Sequence, residues 1–348
     1  MNAVTEKFAN WRERVADFLP EGRWVKWAVS LLALYFVSMI LLGMYWSWAP
    51  SQFNVQDKAA SYAAEDNITP VTGSATAAAL MGAVETLLEK PGGYLHNDKF
   101  PPGIWLDNIP NWEFGVLVQV RDLSRALREV HSRSQSQSTE DEDLALAEPR
   151  FNFNSDSWIL PSSESQYKQG LTLTRSYFRR LSDEQARNAQ FYARVDNLRY
   201  WLATVNTRLG SLSQRLSASV GQRRINTDLA GGGDATQSTR TATEMYVKTP
   251  WAEIDDVFYE SRGAAWALIH FLKAAEIDFA DVLSDKNAQV SLLQIIRELE
   301  GTQDSVWTPM IVNGSGFGLL ANHSLVMASY ISRANASIID LMDLLSQG

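Results

Sequence analysis

Between Lys26 and Asp57 no residue is charged, and residues 27–48, WAVSLLALYFVSMILLGMYWSW, are apolar at nearly every position. At 1.5 Å per residue this run makes a helix roughly 30 Å long, the thickness of a bilayer's hydrocarbon layer. Trp24, Trp27, Tyr45, Trp46 and Trp48 lie near its two ends, where amphipathic rings favour the headgroup level. A cleavable signal carries an apolar run of about 7–15 residues and small residues at the cut. This run is longer and leaves through the bulky MYWSWAP, so the pattern predicts an uncleaved transmembrane helix. Arg12, Arg14, Arg23 and Lys26 precede it, whereas the first Lys beyond it is Lys58. That asymmetry predicts residues 1–26 in the cytoplasm and the remainder outside.

Before the run, Val4, Phe8, Trp11, Val15 and Phe18 form one helical stripe that stops at Pro20-Glu21-Gly22, a cytoplasmic amphipathic head whose apolar face suits the inner leaflet surface or a partner helix, lipid being favoured. After it, residues 49–69 are rich in Ala, Ser, Gln and Asp and read as a polar linker, with the folded domain expected over residues 70–348. Helical spacing then dominates. Residues 73–90 place Leu80, Val84, Leu87 and Leu88 on one side and end at Pro91-Gly92-Gly93. Val116, Val120, Leu123, Leu127 and Val130 continue the 3–4 spacing. Residues 132–143 are low-complexity polar sequence and read as an exposed loop, while 151–160, FNFNSDSWIL, alternate briefly and read as extended.

Ser163 and Gln166 have capping-box spacing and open the longest helical pattern, which runs to about Val220. A single helix of that length would be about 90 Å long, beyond the width of a compact domain. A break is therefore expected, at Ser182-Asp183 or at Gly210. The pattern suits either a coiled-coil arm or consecutive helices in one bundle, the latter favoured. Residues 230–242 read as a flexible loop. Three further helices follow: one through Ile254, Phe258, Leu268 and Ala275, one over 286–300, and one over about 320–346. No strand-rich region or fixed-period repeat interrupts this. The predicted class is all-α: a transmembrane helix, then a periplasmic helical bundle with a long helical hairpin and an ordered aromatic loop.

Composition narrows the chemistry. The chain has 348 residues, 45% of them hydrophobic, which is enough to bury a sizeable core. Its net charge of −9 argues against nucleic acid as a partner. With no Cys, disulfides, thiolate metal sites and Cys nucleophiles are excluded. The four His residues, His96, His131, His270 and His323, have no second His within helical reach, so no metal is expected. Residues 313–323, NGSGFGLLANH, lack the Lys-Ser/Thr ending of a phosphate loop and read as a connector, so no cofactor is expected either.

The exception to helical spacing is GGYLHNDKFPPGIWLDNIPNWEFG, residues 92–115. Its rings are too many to leave in water cheaply, and Asn111 is expected to cap the helix that follows. The segment reads as an ordered loop packed on the bundle. The other reading makes it a ligand-binding lip of Tyr94, His96, Asp98, Trp105, Asp107 and Trp112, with sugars stacking on the rings and paired carboxyls assisting glycan hydrolysis. No catalytic residue stands out from sequence spacing, and enzymatic activity is not the favoured expectation. The acidic positions Asp255, Asp256 and Glu260 suit a helix N-terminus without any ligand.

The succession from ALMGAVETLLEKPGGYLHNDKFPPGIWLDNIPNWEFGVLVQVRDLSRALR to RSQSQSTEDEDLALAEPRFNFNSDSWILPSSESQY resembles a domain-of-unknown-function family of single-span membrane proteins of Gram-negative bacteria. The likeness covers most of residues 25–348 and is most specific over 91–168. It implies an inner-membrane location and one continuous exported domain, and it brings no catalytic residues. Together these features predict a scaffold or accessory subunit of a cell-envelope assembly. Its partners would be membrane lipid and other envelope proteins or further copies of itself, with glycan binding or cleavage as the alternative.

Overall fold

The computed structural model describes residues 22–134, 138–183, 188–225, 244–306, 311–315 and 319–347. The amphipathic head, the 230–242 loop and two of the glycines after Asn313 lie outside the described residues. The class is all-α, as the spacing predicts, with eleven α-helices and one two-stranded ribbon among the described residues. Helix α1, Arg23–Trp46, is the only described helix long and apolar enough to cross a membrane.

Helix α3 (Ser74–Glu89) runs through the centre. Its first ten residues are all buried, and Ala75, Ala77, Ala78, Ala79, Gly82 and Ala83 let neighbours approach from every side. Helices α4 (Asn108–Ala126) and α8 (Ile254–Asp278) flank it and cross each other closely. The crossing depends on two glycines: a Cβ on Gly115 would lie 2.0 Å from the Glu260 carbonyl oxygen, and one on Gly263 2.0 Å from that of Trp112. On one side of this centre pack α2 (Val55–Asp66), α5 (Glu142–Phe151) and α6 (Ser163–Leu181). On the other pack α7 (Val195–Ser217), α10 (Gln289–Gly301) and α11 (His323–Ser346), while the short α9 (Ala280–Asp285) follows α8 directly.

Several expectations change at this level. Much of the stretch read as a linker, residues 49–69, is helix α2. Asn54 caps it by accepting from the Gln56 and Asp57 amides, and Val55, Ala59, Tyr62 and Ala63 bury one narrow stripe against α3. The long helical pattern does break at Ser182-Asp183, but α7 runs unbroken through Gly210. The two halves do not pair as a hairpin. Helix α6 packs on α5 and α3, and α7 packs on α11, because their apolar stripes face different neighbours. Residues 152–160 form turns rather than a strand, and the ribbon lies instead at Gln222–Ile225 with Glu244–Val247.

Buried polar groups tie the helix ends together. Asp278, at the end of α8, accepts from the Gly73 and Thr76 amides at 2.8 and 2.6 Å and so caps α3. A carboxylate at a helix N-terminus matches the positive end of the helix dipole. His270 accepts from the Phe53 amide through Nε2 at 3.0 Å and donates through Nδ1 to the Trp266 carbonyl, which requires the neutral ring. Burial lowers its pKa to about 4.

His131 is buried between Phe191 and Phe279, and burial pulls its pKa down to about 3. In the unfolded chain its imidazole takes up a proton below pH about 6.5, whereas in the fold it does not until about pH 3. Stability is therefore lost as pH falls through this window, by roughly 3 kcal/mol from His131 at pH 4. Its Nδ1 has no hydrogen-bond partner among the described residues, so phenylalanine forfeits nothing polar there. His131→Phe is expected to flatten the acid limb of a stability–pH curve measured by urea unfolding.

Candidate functional site

The aromatic segment starts where α3 stops. Gly92 and Gly93 take φ of 87° and 71°, a region open to glycine at little cost, and they turn the chain back across the end of the bundle. Beneath the turn lies a buried ion pair, Lys90 Nζ to Glu113 Oε1 at 2.5 Å. Lys90 also donates to the Gly93 carbonyl at 2.6 Å, and Glu113 accepts from the Leu95 and His96 amides at 3.0 and 2.8 Å. Burial pushes the Glu113 carboxyl up to about 7, against the opposing pull of Lys90 and the two amides. Every polar group of this knot has its partner inside the fold, so the knot closes the loop and presents nothing to a ligand.

The six residues of the expected lip do not gather around one space, although the Tyr94 and His96 rings stay 6.2 Å apart. Tyr94 is buried edge-on to Tyr167 at 5.4 Å, and Trp112 is buried against Trp266 at 5.2 Å. His96 stacks on Phe114, donates through Nδ1 to the Pro110 carbonyl and meets Asp156 through Nε2 at 3.0 Å. Asp98 is tucked under Gly103, where a Cβ would strike its carboxylate, and burial with Glu164 nearby raises its pKa. Asp107 accepts from the Asn108 amide and caps α4, a role expected of Asn111. Asn111 lies inside the helix and donates to Asp256 at 2.7 Å. Asp107 thus belongs to the acidic surface of Asp255 and Asp256, where burial and mutual repulsion push Asp256 up to about 6.

Trp105 goes elsewhere. Half exposed, it stacks on Phe36 of α1, with ring centroids 6.1 Å apart and planes 16° from parallel. The same helix meets the segment twice more. A Cβ on Gly43 would lie 3.5 Å from the Leu106 and Pro102 side chains, and one on Gly92 would lie 2.7 Å from the Trp46 ring. The segment is therefore a brace that seats the C-terminal turns of α1 on the helical body. A 3-10 turn over Gly103–Trp105 shapes its lower edge. Sequence reading missed this contact because nothing in either stretch names the other. The available signal was the uncharged FPPGIWL of residues 100–106 beside an uncharged helix.

A cleft of about 590 Å³ opens next to the brace, between Met44, Trp48, Tyr259, Arg262 and Gln303. Arg262 donates to the backbone carbonyls of Gln303 and Asp304, and it bridges to no carboxylate among the described residues. No group of three His, Asp or Glu among the described residues is placed to hold a metal ion.

The fold and brace together define a class: an all-α body seated on an N-terminal helix long and apolar enough to cross a membrane. Residues 20–348 match a family described as an uncharacterized protein conserved in bacteria (DUF2333), and the chain belongs to that family. No curated protein and no solved structure matches it.

Proposed function

We propose that the chain is a single-span protein of the bacterial inner membrane whose helical body lies in the periplasm and serves as a scaffold or accessory subunit in a cell-envelope assembly. The observation that carries this reading is the seating of α1. Gly43 and Trp46 are packed on the body through Leu106, Pro102 and Gly92, so the span meets the body by side-chain contacts as well as by the connecting chain. A tethered enzyme needs only a flexible leash, whereas a subunit that positions partners needs a fixed height and orientation above the bilayer. Arg23 and Lys26 before the span, with no cation after it until Lys58, support the orientation.

Crosslinking in native membranes followed by pull-down is expected to recover a stable partner. Gly43→Leu, which wedges the brace off α1, is expected to lower that recovery while the chain stays in the membrane fraction. Repeated recovery of the protein alone as a monomer would overturn the reading. The glycan-acting alternative retains one observation, the raised pKa of Asp98 beside Glu164. Binding of purified cell wall that Asp98→Ala abolishes would favour it.

A further inference from the structure

Two uncharged loop tips stand side by side on the surface next to α1. One is Phe100–Leu106, FPPGIWL, and the other is 157–161, SWILP. Phe100 and Trp158 meet edge to face at 5.4 Å, and Asn97 holds the second loop by donating to the Ser157 carbonyl at 2.8 Å. Between them the tips expose Phe100, Ile104, Trp105, Trp158, Ile159 and Leu160, with Ile159 62% and Leu160 91% accessible. Leu160 also has φ of 56°, a left-handed conformation costly for a residue with a Cβ, and it carries the side chain outward. In water such a patch gains nothing for its exposure.

The patch continues the surface of α1. Trp105 stacks on Phe36, which lies ten residues before Trp46 and so about 15 Å along the helix from it at 1.5 Å per residue. If Trp46 marks the headgroup level, Trp105 lies at the depth of the acyl chains. Each unsatisfied backbone polar group is costly at such depth, and the 100–106 tip satisfies much of its own. Pro101 and Pro102 have no N–H to satisfy, and Ile104, Trp105 and Leu106 donate to the carbonyls of Phe100, Pro102 and Gly103 at 3.1, 2.9 and 2.9 Å. Lys99, exposed and next to the tip in sequence, has an aliphatic stem that lets its ammonium extend toward the headgroups.

We infer that the loop pair 100–106 and 157–161 inserts into the bilayer leaflet nearer the helical body, with lipid acyl chains as its ligand. The insertion gives the protein a second, peripheral foothold beside its span and fixes the body's tilt. The inference rests on the reading of α1 as a transmembrane helix. Lipid is favoured over a protein partner because the patch is continuous with an apolar helix surface and neither 100–106 nor 157–161 carries a charged side chain.

The chain has no Cys, so single cysteines report without background. Ile104→Cys and Leu160→Cys, spin-labelled in the full-length chain, would be compared in nanodiscs of phosphatidylethanolamine and phosphatidylglycerol. Ser38→Cys in α1 serves as the lipid reference, and Val71→Cys, at the opposite end of α3 from Gly92, as the aqueous one. The ratio of oxygen to nickel-chelate accessibility at 104 and 160 is expected to exceed that at 71 several-fold and to approach that at 38. Water-like ratios at 104 and 160 with a lipid-like ratio at 38 would overturn the insertion alone. A water-like ratio at 38 would overturn the anchor reading with it. Shielding that vanishes when each disc holds one copy would assign the patch to a second copy and overturn the lipid assignment.

Discussion

Gly263→Ala is expected to cost more than about 3 kcal/mol, enough that little folded protein accumulates, although alanine is the better helix former by about 1 kcal/mol. The reason is the crossing of α4 and α8. The new Cβ would lie 2.0 Å from the carbonyl oxygen of Trp112, a backbone atom that no rotamer change can move. Relief requires the helices to part, and that opens the centre of the core around Trp112 and Trp266. Gly210→Ala is the matched control. Its Cβ would meet only the Asn335 amide nitrogen, at 3.7 Å, so α7 is expected to gain up to about 1 kcal/mol. Urea unfolding of the two full-length variants in detergent, followed by tryptophan fluorescence, measures both. Equal stability of the two would show that the crossing is not constrained as described.

Lys90→Met is expected to destabilise by about 3–5 kcal/mol, since it leaves the Glu113 carboxyl buried without its ammonium. Glu113 is already held up to about 7 by burial, and loss of Lys90 raises it further. A carboxyl whose pKa is raised on folding takes up a proton as the chain folds, so its stability falls as pH rises through the folded pKa. The deficit of Lys90→Met is therefore expected to be larger at pH 8 than at pH 5. Adding Glu113→Gln should regain much of the loss, because one amide oxygen in the place of Oε2 can accept from both Leu95 and His96. The same urea titrations at the two pH values check this, and a deficit independent of pH would rule out Glu113 as its source.

Both predictions concern the frame around the aromatic segment. Tyr94 and Trp112 are core residues, and His96, Asp98 and Asp107 are each engaged locally, so the rings and carboxyls that looked like a lip in the sequence do not face one space. What the segment does share is Trp105 against Phe36, a contact that turns a connector into a brace.

Features that depend on neighbours along the chain were legible in the sequence. The apolar run of α1, the stop at Pro91-Gly92-Gly93, and the stripes of α4, α8 and α11 all follow from local spacing and local backbone preference. Even α2 carried its signal, Val55, Ala59, Tyr62 and Ala63 at helical intervals, diluted by polar neighbours until it resembled a linker. Partnership was not legible. That α6 and α7 diverge, that Lys90 meets Glu113, that Gly263 receives the Trp112 carbonyl and that Trp158 stands beside Phe100 depend on which apolar stripe meets which. Many stripes of similar shape fit one another about equally well in one dimension. Only close packing in three, where backbone atoms and buried charges tolerate one arrangement, selects among them.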